Sequence, residues 1–178
     1  MYNYNKGRKK YLSEKQKNQM KKMAEFTRSK ISQTIDLNQY PCPKCGKHMK
    51  WRDSMREGNQ GTFVLFCDDC DMVGSARRET NGEIVLRSIP ADKETRNLRK
   101  EAHYYFDILY KEHIFDSREQ AYMWLTSQLL SFDRGIKHIG EMDKVQCLRA
   151  IEISKKCIET NKHRLSHPVE PFHFKRNK

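Results

Sequence analysis

Two Cys-x-x-Cys pairs, Cys42/Cys45 and Cys67/Cys70, are the residues of this 178-residue chain best spaced to do chemistry. A two-residue spacer folds into a turn that presents both sulfurs on one side, and two such turns brought together complete a tetrahedron. Thiolates are soft and select zinc over magnesium or calcium. With all four positions supplied by protein, the expected site is one structural Zn²⁺ with no place for a catalytic water. His48 falls in the strand after the first knuckle and is read as a bystander. Cys147 and Cys157 sit ten apart in a helical pattern and read as core or semi-buried thiols. The start, MYNYNKGRKK, lacks the apolar stretch of a signal peptide, which favours metal over disulfide chemistry.

Thirty-five Lys and Arg oppose 23 Asp and Glu, for a net charge of +12. The chain is 37% hydrophobic, its mean hydropathy is −0.95, and no apolar run approaches the roughly 18 residues of a membrane helix. A large α/β enzyme, a membrane protein and a disulfide-rich secreted module are disfavoured. Residues 1–40 hold 10 basic and 3 acidic residues. A cationic arm of this kind points to a polyanion, most often nucleic acid.

The elements that must position the sulfurs follow from pattern. The fold expected is α+β: a small antiparallel zinc ribbon between a basic N-terminal helix and a C-terminal three-helix module. Residues 1–40 read as a basic arm and an amphipathic helix. Ser13 and Gln16 fit a capping box, and Met20, Met23, Ile31 and Ile35 recur at helical spacing over 13–35. Residues 41–90 read as the ribbon. Its strands are the alternating stretch from Met49 to Met55, then Thr62–Phe66, Met72–Arg78 and Glu83–Ile89, with Asn81-Gly82 turning the last pair. Residues 91–160 read as three helices. Asp92 opens the first, to about Glu112, with Leu98, Ala102, Tyr105, Phe106 and Leu109 on one face. Ser117 and Gln120 open 118–131, and Asp143 and Gln146 open the third. His138, beside Gly140 in the intervening loop, suits a helix C-terminus or a backbone carbonyl. Residues 161–178 read as an unstructured, flexible basic tail.

With these motifs in order, the chain resembles the zinc-finger-containing domain family of bacterial and phage proteins. The likeness spans roughly 41–158 and rests on Cys42-Pro43-x-Cys45-Gly46, the second knuckle, Leu98–His103, Phe106-Asp107, Ser117–Leu125 and His138-Ile139-Gly140-x-Met142. It implies the architecture and a phage or mobile-element setting, not a reaction. The basic arm, the His-bearing tail and the short second knuckle depart from it. The ribbon is also similar to the C-terminal zinc ribbons of type IA topoisomerases, which hold single-stranded DNA.

The function expected is a zinc-ribbon protein that binds single-stranded DNA or RNA mainly through its backbone, in the cytoplasm of a bacterial host. Lys9, Lys10, Lys21, Lys22, Lys47, Lys50, Arg52, Arg77 and Arg78 are the candidate phosphate contacts. Trp51, with Phe63 and Phe66, is either a stacking platform for bases or ribbon packing. The alternative is a protein-interaction factor docking on host transcription, replication or defence machinery through Met20, Met23, Ile31 and Ile35. An enzyme is the weakest reading, because no carboxylate cluster or open metal site is visible. Neither a membrane nor a small-molecule substrate is implied.

Overall fold

The computed structural model describes residues 33–54, 60–129 and 138–173. Four strands, β1 (Lys50–Asp53), β2 (Thr62–Phe66), β3 (Val73–Arg78) and β4 (Ile84–Ala91), form one antiparallel sheet in chain order. Three helices follow: α1 (Lys93–Lys111), α2 (Arg118–Leu129) and α3 (Lys144–Thr160). A 3-10 turn, Ile139–Glu141, precedes α3.

Pleat alternation decides the two faces of the sheet. Phe63 and Leu65 of β2 pair with Ala76 and Gly74 of β3 and point to a core shared with Leu37, Met49 and Leu86. Chain 33–49 covers that face: Thr34 bridges Val85, and the Ile35 N–H donates to the Ile84 carbonyl at 2.8 Å. The expected helix therefore does not reach 35. Ile35 packs against the chain's own sheet core rather than extending an apolar helical stripe, because β4 offers it free backbone partners. The rest of that helix lies outside the described residues. The opposite face carries Thr62, Val64, Ser75 and Ser88, the last two joined hydroxyl to hydroxyl at 2.9 Å.

The turn between β3 and β4 matches its Asn-Gly signal. Gly82 takes φ +87°, and the Glu79 N–H closes onto the Glu83 carbonyl at 2.7 Å. Side-chain caps set the helix starts. Asp92 accepts the Thr95 N–H at 2.7 Å, and Asp143 and Gln146 make both bonds of a capping box. Ser117 accepts the Gln120 N–H, but the Gln120 side chain accepts from Asp116, one residue early, so that box is half formed. The helices bury Phe106, Leu109, Leu125, Ile139, Met142 and Cys147 in a second core. Cys157 is semi-buried.

The tail expected to be unstructured is ordered through residue 173. After a 3-10 turn at Lys162–Arg164, Leu165, Val169 and Phe172 pack onto the helical core. Tyr104 donates its hydroxyl to the Glu170 carbonyl at 2.8 Å, and Glu112 accepts the Ser166 N–H and hydroxyl. These contacts join residues more than 50 apart in sequence, so no local periodicity announces them.

Candidate functional site

The two cysteine turns are built alike. The Cys42 N–H donates to the Lys47 carbonyl at 2.7 Å, and the Cys67 N–H to the Met72 carbonyl at 2.9 Å. Each turn needs a left-handed residue four positions after its first cysteine. Gly46 supplies it at φ +74° and Asp71 at φ +51°. Within the turns, backbone N–H groups of Lys44 and Cys45 aim at the Cys42 sulfur, and that of Asp69 at Cys67.

The β1–β2 hairpin then places the turns side by side. The sulfurs of Cys42, Cys45, Cys67 and Cys70 all lie within 4.8 Å of one another. Cys45 Sγ and Cys67 Sγ are 3.7 Å apart, close to the ~3.8 Å edge of a tetrahedron with Zn–S bonds of about 2.3 Å. All six cysteines are free thiols. Electrostatics favour a dication at this centre. Burial opposes the Cys42 thiolate, but the N–H groups of Cys45 and Lys44 and the neighbouring thiols outweigh it and bring its pKa to about 7. Cys70 is pushed up to about 12, first by its hydrogen bond with Cys45. Four sulfurs without a cation tolerate little negative charge; a dication lets all four ionise. The residues fit one structural zinc ion, held by Cys42, Cys45, Cys67 and Cys70. His48 is exposed, bridges Pro41 through its backbone, and stands outside this set.

The cationic candidates separate. Lys9, Lys10, Lys21 and Lys22 lie outside the described residues, as do Met20, Met23 and Ile31. Lys47 and Lys50 pair with Asp69 and Asp68 across the two cysteine turns. Trp51 and Arg78 stand on the core side of the sheet. Trp51 is 40% exposed, meets Phe63 edge-on at 5.4 Å and donates its ring N–H to Asn38. Arg78 lies 5.7 Å over the Phe63 ring. Phe63 is buried, so a flat platform of Trp51, Phe63 and Phe66 does not form; Phe66 faces the other way, beneath Arg52 at 5.9 Å.

The uncovered face of the sheet opens into a cleft of about 850 Å³ that continues onto the helices. Its charged walls are Arg52 of β1, Arg77 of β3, Arg87 of β4 and Arg118 of α2, with Asp53 and Glu79 at the outer end and Ser75 and Ser88 between. At the inner end stand His103 of α1, His138 and Gly140. Arg77 is paired with Glu79 at 2.7 Å. Among the described residues, Arg52, Arg87 and Arg118 form no ion pair. Sequence reasoning missed Arg87, Arg118, His103 and His138 as members of one site. Arg87 is a lone basic residue in a strand, and Arg118 reads as a helix-start residue.

His138 does cap a turn, but by accepting rather than donating: its Nδ1 receives the Gly140 N–H at 3.0 Å at the start of Ile139–Glu141. Its ring stacks on Tyr122 at 5.3 Å and lies 5.5 Å from His103. Gly140 is required here, since a Cβ would stand 2.9 Å from the Arg87 carbonyl oxygen.

Among the described residues, no helix is long and apolar enough to cross a membrane. The model of the zinc-finger-containing domain family matches residues 38–157. No curated protein and no solved structure matches the chain.

Proposed function

Because the chain belongs to the zinc-finger-containing domain family, with its four-cysteine centre in place, we propose that it binds single-stranded nucleic acid along the arginine-lined cleft. The observation that carries this reading is the convergence of Arg52, Arg77, Arg87 and Arg118, from three strands and a helix, on one trough. Neighbouring strands lie about 4.8 Å apart, so a chain crossing the sheet meets successive guanidinium groups. Arginine offers a planar fork that fits phosphate oxygens. The serine-rich floor supplies hydroxyl donors and acceptors without excluding either sugar type.

Residues 1–32 extend the same argument. They carry ten basic and two acidic residues, and they join the described chain at Gln33, whose carbonyl accepts the Leu86 N–H on β4. In this reading their charge adds sequence-independent attraction to a polyanion. The role of the zinc is to hold the sheet that displays the cleft. A bacterial cytoplasm and a phage or mobile-element setting belong to this proposal and rest on the family likeness alone.

The test is fluorescence anisotropy of the zinc-loaded protein with labelled single-stranded DNA and RNA over a salt series. Affinity that falls steeply with salt, and a shallower slope for Arg52→Gln and Arg87→Gln, supports the reading. No binding at low salt overturns it and favours docking on a protein partner.

A further inference from the structure

We propose that the inner end of the cleft, where Arg87 and Arg118 flank the His103–His138 pair, is a phosphate-binding subsite whose occupation brings a proton onto His103. The proposal rests on the preceding reading in one respect: it takes the phosphate to be a diester of a nucleic-acid backbone.

Four separate elements meet at this point. Arg87 comes from β4, Arg118 from α2, His103 from α1, and His138 from the segment leading into the 3-10 turn. The two imidazoles play different parts. His138 accepts the Gly140 N–H through Nδ1, so its neutral ring carries the proton on Nε2 and offers a fixed donor. A second proton on Nδ1 would face the Gly140 hydrogen, and stacking against Tyr122 holds the ring in place. His138 is therefore a neutral donor, whereas His103 has no such lock.

The groups facing the pair are Arg99 and Asp107 from α1, Arg118 and Tyr122 from α2, and Arg87 from β4. Three guanidinium groups against one carboxylate make the empty site positive. Burial first, and then Arg118 and Arg99, hold His103 below its ordinary value, with Asp107 opposing. That environment repels an imidazolium and attracts an anion. A phosphate diester between Arg87 and Arg118 lowers the local positive potential that opposes the imidazolium, so His103 gains proton affinity and, once protonated, becomes a third cationic donor. The linked state binds one more proton than the empty one. Affinity therefore rises as pH falls, by up to about tenfold per pH unit for one coupled proton.

The experiment uses the full zinc-loaded chain with two probes, inorganic sulfate and a short oligothymidylate, neither of which titrates between about pH 5.5 and 8. Histidine side-chain ¹⁵N resonances are followed over that range with and without each probe. The expected result is a rise in the His103 titration midpoint with both probes and none at His138. Oligothymidylate affinity should increase on acidification in the native chain and stay flat in His103→Gln. Arg118→Gln and Arg87→Gln should weaken sulfate binding about tenfold or more. A His103 midpoint unmoved by either probe overturns the subsite, and the native chain reports this without any variant having to fold. Sulfate that moves His103 while the oligonucleotide does not bind upholds the anion site and sinks the nucleic-acid reading. An oligonucleotide that binds with His103 unmoved does the reverse.

Discussion

Arg99, in the middle of α1, donates through Nε to the carbonyl oxygen of Met142 at 2.8 Å, 43 residues further along the chain. The same guanidinium donates through Nη1 to the Ile89 carbonyl on β4 at 2.6 Å. One side chain, only 8% exposed, thus ties the sheet, the first helix and the residue that ends the 3-10 turn. The positions of Arg87 and His138 in the cleft depend on this clamp.

Replacing Arg99 by Met removes both bonds and leaves two carbonyls with fewer partners. Hydrogen bonds from charged donors contribute about 1.5–3 kcal/mol each, so the variant should lose about 3–6 kcal/mol in urea unfolding. Arg99→Lys keeps the charge but not the planar fork, and should fall between the two. A native-like midpoint for Arg99→Met would show that the clamp carries no stability.

Zinc should support one core and not the other. The ribbon core contains Cys42 and Cys67 themselves, whereas the helical core has its own closed set of Phe106, Leu109, Leu125 and Ile139. Chelation or Cys67→Ser is expected to abolish the Trp51 fluorescence environment and most β signal while helical ellipticity largely persists. Metal analysis should give one zinc per chain. Retention of the sheet after complete removal of zinc would contradict the structural role.

Acid should weaken the fold through His138. Burial first, then His103 and Arg118, hold its pKa down at about 4, against an ordinary value of about 6.5. Between those values the unfolded chain binds the extra proton and the folded chain does not. Stability from this group is therefore complete above about pH 6.5 and declines as pH falls toward 4. His138→Asn keeps an acceptor suited to the cap and removes the titration. Its unfolding midpoint should vary less with pH over that range than the native protein's, as thermal melts at several pH values would record.

Gly140→Ala tests how closely the 3-10 turn sits on the sheet. The added carbon meets the Arg87 carbonyl oxygen at 2.9 Å and His138 Nδ1 at 3.1 Å, and both are atoms of the cleft wall. Overpacking of this kind costs about 1–3 kcal/mol. A smaller loss, together with unchanged His138 resonances, would mean that β4 and the turn separate easily.

What could be read directly from the chain is local. The two cysteine turns taken singly, the Asn81-Gly82 turn and the caps at Asp92 and Asp143 each depend on atoms within about five residues, so residue type and spacing carry them. Even there, Gln120 reached past its expected partner to Asp116, because the approach to α2 decides which N–H is free. The cleft is of another kind. Which face of the sheet stays open depends on Thr34 and Ile35 joining β4 across about fifty residues of chain, and the meeting of Arg87, His103, Arg118 and His138 depends on the Arg99 clamp and the close seat of Gly140. Single residues in those positions carry no spacing signal, and long-range pairing alone turned scattered arginines and histidines into one positively charged trough.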